Sequence, residues 1–522
     1  MDAMATIRSL LIHGSTLSLL TMVSRVLGLL REMTKARLLG TTALSDAFSV
    51  AFMIPNLFRR LFAEGSIAVA FIPTFKKRLV EGGADELKDF LSCVFTFLTF
   101  FVTAVVVVGI LVSPLIVPLF GLTEFDETVL LTRIMFPFLA FISIAAFFQG
   151  ILNSVGVFTP SGAAPILLNV ATIICAYALK DVMGNPARAM AVGILIGGFL
   201  EAAIQLPFIL KKGFTFFFKS IRKAVKHPGT QTILKLIGPT IIGMAAYQLN
   251  DLVSTALAGN AGQGVVSSLQ YSLRLQELIL GIFVVSIGTV LLPDFAEHAK
   301  TGNWDMFNVR LQSAIDIVAL ITVPITFFAL CQGETLIRLL FQGHSFTEES
   351  VALTKTAFIF HAPALLFIAL NRILAPAFYA QSDTKSPTFA GIVSFVVNMA
   401  LAFVLVENFR GAGIAFALTA ASAVNTVLLF CFLKKNPFIK MAGALKMILH
   451  IVKLCLFSVV ASVPVLLLNQ RLLTLFMGRN RFIHYGVPFV IAAFVYFSIE
   501  LVLLIVTKDA LIHKLISIVK SR

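Results

Sequence analysis

The chain has 522 residues, 58% hydrophobic and 13% charged, with a mean hydropathy of +0.95; this excludes an ordinary soluble domain and predicts an integral membrane protein. A formal net charge of +15 would suggest nucleic acid in a soluble protein, but here the basic residues sit in short connections between apolar blocks, where they set topology. The five cysteines, Cys93, Cys175, Cys331, Cys431 and Cys455, are odd in number and embedded in apolar runs, so they predict neither a disulfide framework nor a metal site.

A helix needs about 20 apolar residues to cross the hydrocarbon core. In chain order the apolar blocks predict spans near 12–34, 46–75, 90–119, 129–153, 161–180, 188–210, 233–257, 265–293, 311–340, 352–378, 387–406, 411–433, 447–467 and 485–507, about fourteen helices of an all-α polytopic membrane protein. The first block lacks a small-residue cleavage pattern and continues into charged sequence, which reads as a span and not a removed signal peptide. Connections at 76–88, 211–227 and 434–446, and the tail from Lys508, are rich in lysine and arginine, whereas 121–128, 259–264 and 341–350 are not. This alternation predicts that both termini are cytoplasmic. One connection breaks the pattern: 469–486 falls on the outer side yet holds Arg471, Arg479 and Arg481.

The chain repeats itself. "GSIAVAFIPTFKK" at 65–77 resembles "VSIGTVLLPDFAE" at 285–297, and "GILNSVGVFTPSGAAPILLN" at 150–169 resembles "RILAPAFYAQSDTKSPTFAGIVSFVVN" at 372–398. Six spans separate the copies, so both begin on the same side, the parallel arrangement of transporters that hold substrate between two halves. The expected division is an N-lobe at 1–226, a C-lobe at 227–440 and an added helix pair at 441–522.

Charges inside the spans carry the functional signal. The first span holds Arg25 and Arg31, followed by Glu32 and Lys35; Asp46 opens the second, which also contains Arg59, Arg60 and Glu64. The second half contributes Asp251, Arg274 and Glu277. Arg60 and Glu64 are spaced to neutralise each other along one helix. Arg25 and Arg31 lie roughly 120° apart around an ideal helix. Three arginines facing lipid would cost on the order of 8–10 kcal/mol. A hydrated cavity lined by Arg25, Arg31, Arg59 and Arg274 removes most of that cost. Guanidinium forks in such a cavity suit a cargo bearing phosphate or carboxylate. The sequence contains no HExxH, DxD or P-loop, and its eight histidines show no ligand spacing. A polyprenyl-phosphate glycosyltransferase or an ATP-driven machine is therefore not expected. Buried arginines likewise argue against a passive scaffold.

"SRVLGLLRE", "SDAFSVAFMIPNLFRRLFAEGSIAVAFIPTF", "GTVLLPDF" and "LAPAFYAQSDTKSP" resemble the MurJ (MviN) family of the multidrug/oligosaccharidyl-lipid/polysaccharide exporter superfamily, over essentially the whole chain. The resemblance implies a lipid II flippase of the bacterial inner membrane, with fourteen helices in two six-helix lobes around a V-shaped cationic cavity. Alternating access would carry undecaprenyl-diphosphate-linked disaccharide pentapeptide to the outer leaflet, and the last two helices would form a groove for the polyprenyl tail. By motif, the substrate-binding arginines are Arg25, Arg31, Arg59 and Arg274. The functional acids are Asp46 and Glu64, with Glu32 where the family often has aspartate. Some members hold sodium in the second lobe; Asp251, Asn398 and Thr419 fall near the corresponding positions, but Ala402 stands where a carboxylate ligand would be expected. The resemblance implies no cofactor beyond a sodium or chloride ion. Its partners are lipid II, membrane lipid and the peptidoglycan synthesis machinery. The alternatives are a small-molecule exporter of the multidrug branch, which cationic cavities do not suit, and a flippase for another polyprenyl-diphosphate-linked oligosaccharide.

Overall fold

Where no water reaches the backbone, an apolar run satisfies its own amides and carbonyls only by coiling into a helix. The computed structural model describes residues 2–61, 70–283, 285–439, 444–509 and 511–513, and among these it holds helices and no strand. In the first half these are α1 (Asp2–Leu39), α2 (Ala43–Arg59), α3 (Ile72–Glu81), α4 (Ala84–Ile116), α5 (Phe125–Met135), α6 (Phe138–Ser154), α7 (Thr159–Ala178), α8 (Pro186–Ala203), α9 (Leu206–Lys211) and α10 (Ile221–Lys226). The second half continues with α11 (Pro228–Asn260), α12 (Val265–Phe283), α13 (Val285–Lys300), α14 (Trp304–Phe341), α15 (Glu348–His361), α16 (Ala364–Tyr379), α17 (Lys385–Lys434), α18 (Ala444–Leu475) and α19 (Arg481–Val506). Glu64, with its expected partnership to Arg60, part of the first repeat copy and the tail beyond residue 513 lie outside the described residues.

Eight helices among the described residues are long and apolar enough to cross a membrane, and α15 with α16, bent by 44°, makes a ninth. The helices that open each half, α1, α2, α11 and α12, do not meet that measure. Several of the charges of the constellation lie on them, so length and apolarity alone do not reach the expected count. The 50 residues of α17 correspond to two predicted spans, and the chain does break inside it, at Arg410 with φ 47° and ψ −128°.

The repeat is visible in where helices fail. α5 gives way to α6 at Phe136–Pro137, and α15 to α16 at Ala362–Pro363. In both places a residue ends one helix by bonding four back (Phe136 N to Thr132 O, 2.8 Å; Ala362 N to Phe358 O, 2.8 Å) and its carbonyl accepts from the next helix (Leu139 N, 3.0 Å; Leu365 N, 3.0 Å). Proline removes a donor and crowds the preceding turn, so the same residue breaks the same span in each half.

The chain forms two compact units, Met1–Ser267 with Gly343–Ser345, and Ser268–Gln342 with Phe346–Arg522. In the first, α7 and α8 pack closely: a Cβ added at Gly193 would lie 2.7 Å from Thr172 Cα, and one at Gly197 would lie 2.7 Å from Leu168 Cα, the small-residue contact of membrane helix pairs. An aromatic core of Phe71, Phe75, Phe90 and Phe147 receives Phe214 and Phe216 from the segment before α10, with Phe216 4.7 Å from Phe95 between ring centroids. That segment is pinned to α4 by hydroxyls, which accept from Phe217 N (Ser92 Oγ, 3.1 Å) and Lys219 N (Thr96 Oγ1, 3.0 Å). Helix α11 also belongs to this unit, and Gly259 seats it against the Phe120 carbonyl.

The core of the second unit gathers Phe295, Phe307, Ile315, Ile373 and Leu374. Phe328 of α14 packs with Ala461, Val465 and Tyr496 of the last two helices. The far faces of these two helices keep large apolar side chains uncovered, among them Leu456, Leu467, Val490 and Phe494. A soluble protein would not leave them so; lipid covers them.

Candidate functional site

In the first unit the arginines differ in setting. Arg25 is exposed on α1, one residue beyond Ser24, whose carbonyl accepts from Asn169 Nδ2 of α7 at 3.3 Å. Arg31 is half-buried: its guanidinium is 2.9 Å from Glu32 Oε1 and 5.9 Å from the centre of the Phe52 ring. Arg59, at the end of α2, donates from Nε to Asn56 Oδ1 at 2.7 Å. Arg60 reaches across to α11, where it meets Asp251 Oδ2 at 3.5 Å and Gln248 Oε1 at 3.4 Å. Two π turns stand among the described residues here, one at 60–61 and one at 70–71, a local distortion that is frequent at functional sites.

Asp46 and Lys35, by contrast, are buried, at 2% and 4% exposure. The two Asp46 oxygens accept the backbone amides that open α12, Gly264 N at 2.6 Å and Ser267 N at 2.8 Å. A carboxylate at a helix N-terminus satisfies orphan donors and complements the helix dipole. Lys35 Nζ donates to Ser49 Oγ at 2.6 Å and lies 5.8 Å from the Phe48 ring centre. Asp46 thus joins α2 to the start of α12, a link that no local sequence pattern announces.

In the second unit, α12 is two-faced. Tyr271, Ser272, Leu275 and Gln276 are buried, whereas Arg274 and Glu277 are exposed and paired at 2.7 Å. The buried face is held by His361 beside the α15–α16 break, with Ser272 Oγ 2.7 Å from Nδ1 and Gln276 Nε2 donating to its carbonyl at 2.7 Å. Asn398 is buried, and Thr419 donates from Oγ1 to Phe360 O at 2.5 Å. Ala402, one turn after Asn398, is fully buried and offers no side-chain oxygen to an ion. Asp251 belongs to the first unit, where it meets Arg60.

Two further clusters lie apart from these charges. Asp89, Cys93 and His227 bring one ligand atom each to within 4.8 Å of one another. However, Asp89 is already engaged by Lys219 at 3.2 Å and Lys223 at 3.0 Å. His227 Nδ1 accepts from Gly229 N at 3.1 Å, which places the neutral ring's proton on Nε2 and leaves no lone pair for a metal. Burial and the nearby Arg78 guanidinium hold His227 below its ordinary pKa. The second cluster, a cleft of about 770 Å³ in the first unit, is lined by Arg37, Tyr177, Lys180, Asp181 and His344; there Ser345 N donates to Arg37 O at 3.4 Å.

The family profile described as lipid II flippase MurJ matches residues 35–485. The chain is 46% identical over 513 residues to the probable lipid II flippase MurJ of Treponema pallidum (strain Nichols), with 97% of each covered. To the probable lipid II flippase MurJ of Vibrio cholerae serotype O1 it is 32% identical over 436 residues, covering 81% of this chain and 82% of that one. A solved structure of lipid II flippase MurJ in an inward closed conformation superposes with a TM-score of 0.78 at 24% identity, over 95% of this chain and 99% of that chain. An inward-facing multidrug resistance MATE family transporter of the MOP superfamily gives 0.65 at 14% identity, over 82% and 95%. These two likenesses speak to the fold.

Proposed function

The chain belongs to the MurJ family of lipid II flippases, and from that premise we propose how its residues do the work. It is a transporter and not an enzyme: a multi-pass inner-membrane lipid II flippase that serves peptidoglycan synthesis. The observation that carries the residue assignment is the contrast in burial. Arg25 and Arg274 are exposed, Arg31 and Arg59 partly so, while Asp46 and Lys35 are sealed inside the fold. Accessible guanidinium groups are what a diphosphate needs, because forks of N–H donors match its oxygens two at a time.

In this reading Arg25, Arg31, Arg59 and Arg274 hold the diphosphate, contributed by an N-lobe at 1–226 and a C-lobe at 227–440. Glu32 sets the Arg31 guanidinium through their 2.9 Å contact, and Glu64 is the further functional acid. Asp46 acts at one remove, by fixing the start of α12, the helix that carries Arg274. The uncovered apolar faces of α18 and α19 receive the polyprenyl tail, which explains why a helix pair stands outside the repeat. Both termini are cytoplasmic, following the lysine- and arginine-rich connections. A sodium ion at Asp251, Asn398 and Thr419 would lack a side-chain ligand at Ala402 and would compete with Arg60 for Asp251; a chloride ion among the arginines suits their charge better.

The test is delivery of lipid II to the outer leaflet in cells depleted of their own flippase, read by an externally added toxin that cleaves accessible lipid II. The wild-type chain should restore cleavage, and Arg25→Ala or Arg274→Ala should abolish it at equal membrane abundance. Transport unaffected by either change would refute the arginine assignment. No restoration by the inserted wild-type chain would point to another polyprenyl-diphosphate cargo.

A further inference from the structure

The motif "LAPAFYAQSDTKSP" has no part in the arginine site, yet it builds one wall of the larger of the two clefts described here, about 1450 Å³ in volume, in the second unit. The cleft lies where α13 ends, α14 begins, α16 ends and α17 both begins and ends, so it sits at one mouth of a bundle of spans. Its floor is aromatic. Trp304, the single tryptophan of the chain, stacks on Phe438 with ring centroids 4.9 Å apart and planes 13° apart, and the rings of Phe389 and Phe432 lie 6.0 Å apart, tilted by 55°.

The rim is basic. Lys300, Lys385 and Lys435 line it, and none of them makes an ion pair among the described residues. Lys435 lies over Phe432 at 5.5 Å. The one rim carboxylate, Asp383, accepts from Lys385 N and Ser386 N at 3.0 Å each through Oδ1, so one negative charge stands against three lysines. The far wall is fixed by amides, with Asn436 Nδ2 donating to Gln381 Oε1 and Asn308 Nδ2 to Phe438 O. The rim therefore presents an excess of positive charge on a rigid frame.

One feature separates a lipid from a soluble anion. From Phe389 in the cleft, exposed apolar side chains continue along α17 at Ile392 and Val396, the i, i+3, i+7 spacing of a single helix face. A free phosphate would have no use for that stripe. Tryptophan, tyrosine and lysine gathered at a span's end are the residues that membrane interfaces favour.

We propose that this cleft seats an anionic phospholipid, its phosphate held by Lys300, Lys385 and Lys435 and one acyl chain laid along Phe389, Ile392 and Val396. The seat is separate from the arginine site and rests only on the chain's being a membrane protein.

Trp304 supplies the readout. Purified full-length protein would be placed in nanodiscs containing phosphatidylglycerol or phosphatidylcholine with brominated acyl chains, at equal mole fractions, and tryptophan quenching measured. Phosphatidylglycerol should quench more strongly, and each Lys→Gln change at 300, 385 or 435 should weaken that preference about fivefold. Lys212→Gln, an exposed lysine of the other unit, should leave it unchanged. Equal quenching by the two lipids, or an equal loss with Lys212→Gln, would overturn the proposal. A Trp304 emission shift produced by inorganic phosphate alone, or by an acidic peptide in place of lipid, would overturn it too. Should a lysine variant misfold, Phe389→Ala tests the same seat by lowering quenching without changing charge.

Discussion

Asp46 and Glu500 are carboxyl groups inside spans, and their partners give them different work. Asp46 accepts two amides at the start of α12, so Asp46→Ala leaves both unsatisfied in a buried place. A loss of about 1–3 kcal/mol is expected, seen as a lower unfolding temperature in detergent, with transport falling in step with folded protein. If Asp46 contacts substrate directly, transport will instead fall at unchanged stability. Glu500 accepts from Ser458 Oγ at 2.5 Å and stands 3.5 Å from Tyr496 OH, linking α18 to α19. An amide oxygen can accept the same bond, so Glu500→Gln should retain thermal stability where Glu500→Leu loses about 1–2 kcal/mol. How much of this could be read beforehand follows sequence distance. That Arg25, Arg31, Arg59 and Arg274 need water or anions was legible, because the cost of arginine in hydrocarbon is a local property of the chain. The partners of Asp46 and Arg60 were not, since they lie about two hundred residues away and neither spacing nor periodicity points to them.

At the scale of elements, the basic connection 211–227 was legible as a topological signal and not as structure. The run "FTFFF" within it sends Phe214 and Phe216 into the core while the backbone borrows acceptors from Ser92 and Thr96. His227 closes this segment, and its docking should depend on pH. A histidine held below its ordinary value of 6.5 is neutral when docked and gains a proton more readily when released, so docking is strongest above that pH and weakens as pH falls through it. Protonation also takes the lone pair that receives Gly229 N. A spin label at Arg222→Cys should therefore be immobile near about pH 8 and mobile near about pH 5. In a His227→Asn background the pH dependence should vanish. The span breaks at Pro137 and Pro363 were missed for a different reason. An apolar run reads as one helix whatever proline it contains, and only the shared Phe-Pro or Ala-Pro position in the two halves could have revealed them.

For the whole molecule, the alternation of basic and acidic connections gave an orientation that labelling can test. With both termini cytoplasmic, Lys180→Cys and His344→Cys should react with an impermeant maleimide in intact cells, and Lys300→Cys and Lys435→Cys only after permeabilisation. Cys93 and Cys175 are buried and add little background; Cys431 is exposed and is best replaced first. The opposite pattern would invert the topology. The connection that broke the charge rule has a physical account in the structure, since Arg481 donates to the carbonyl of Gln342, which follows the last turn of α14. Free carbonyls at a helix C-terminus attract a cation, and in the proposed orientation that attraction would offset part of the preference holding arginine on the cytoplasmic side.

This contact also bears on the order in which the protein is made. Gln342 leaves the ribosome well before Arg481, so with both termini cytoplasmic, as proposed, its acceptor would stand on the far side of the bilayer when the last hairpin emerges. Translocating the basic connection would then have a destination, and the final two helices would be inserted against a landmark that the earlier chain has set.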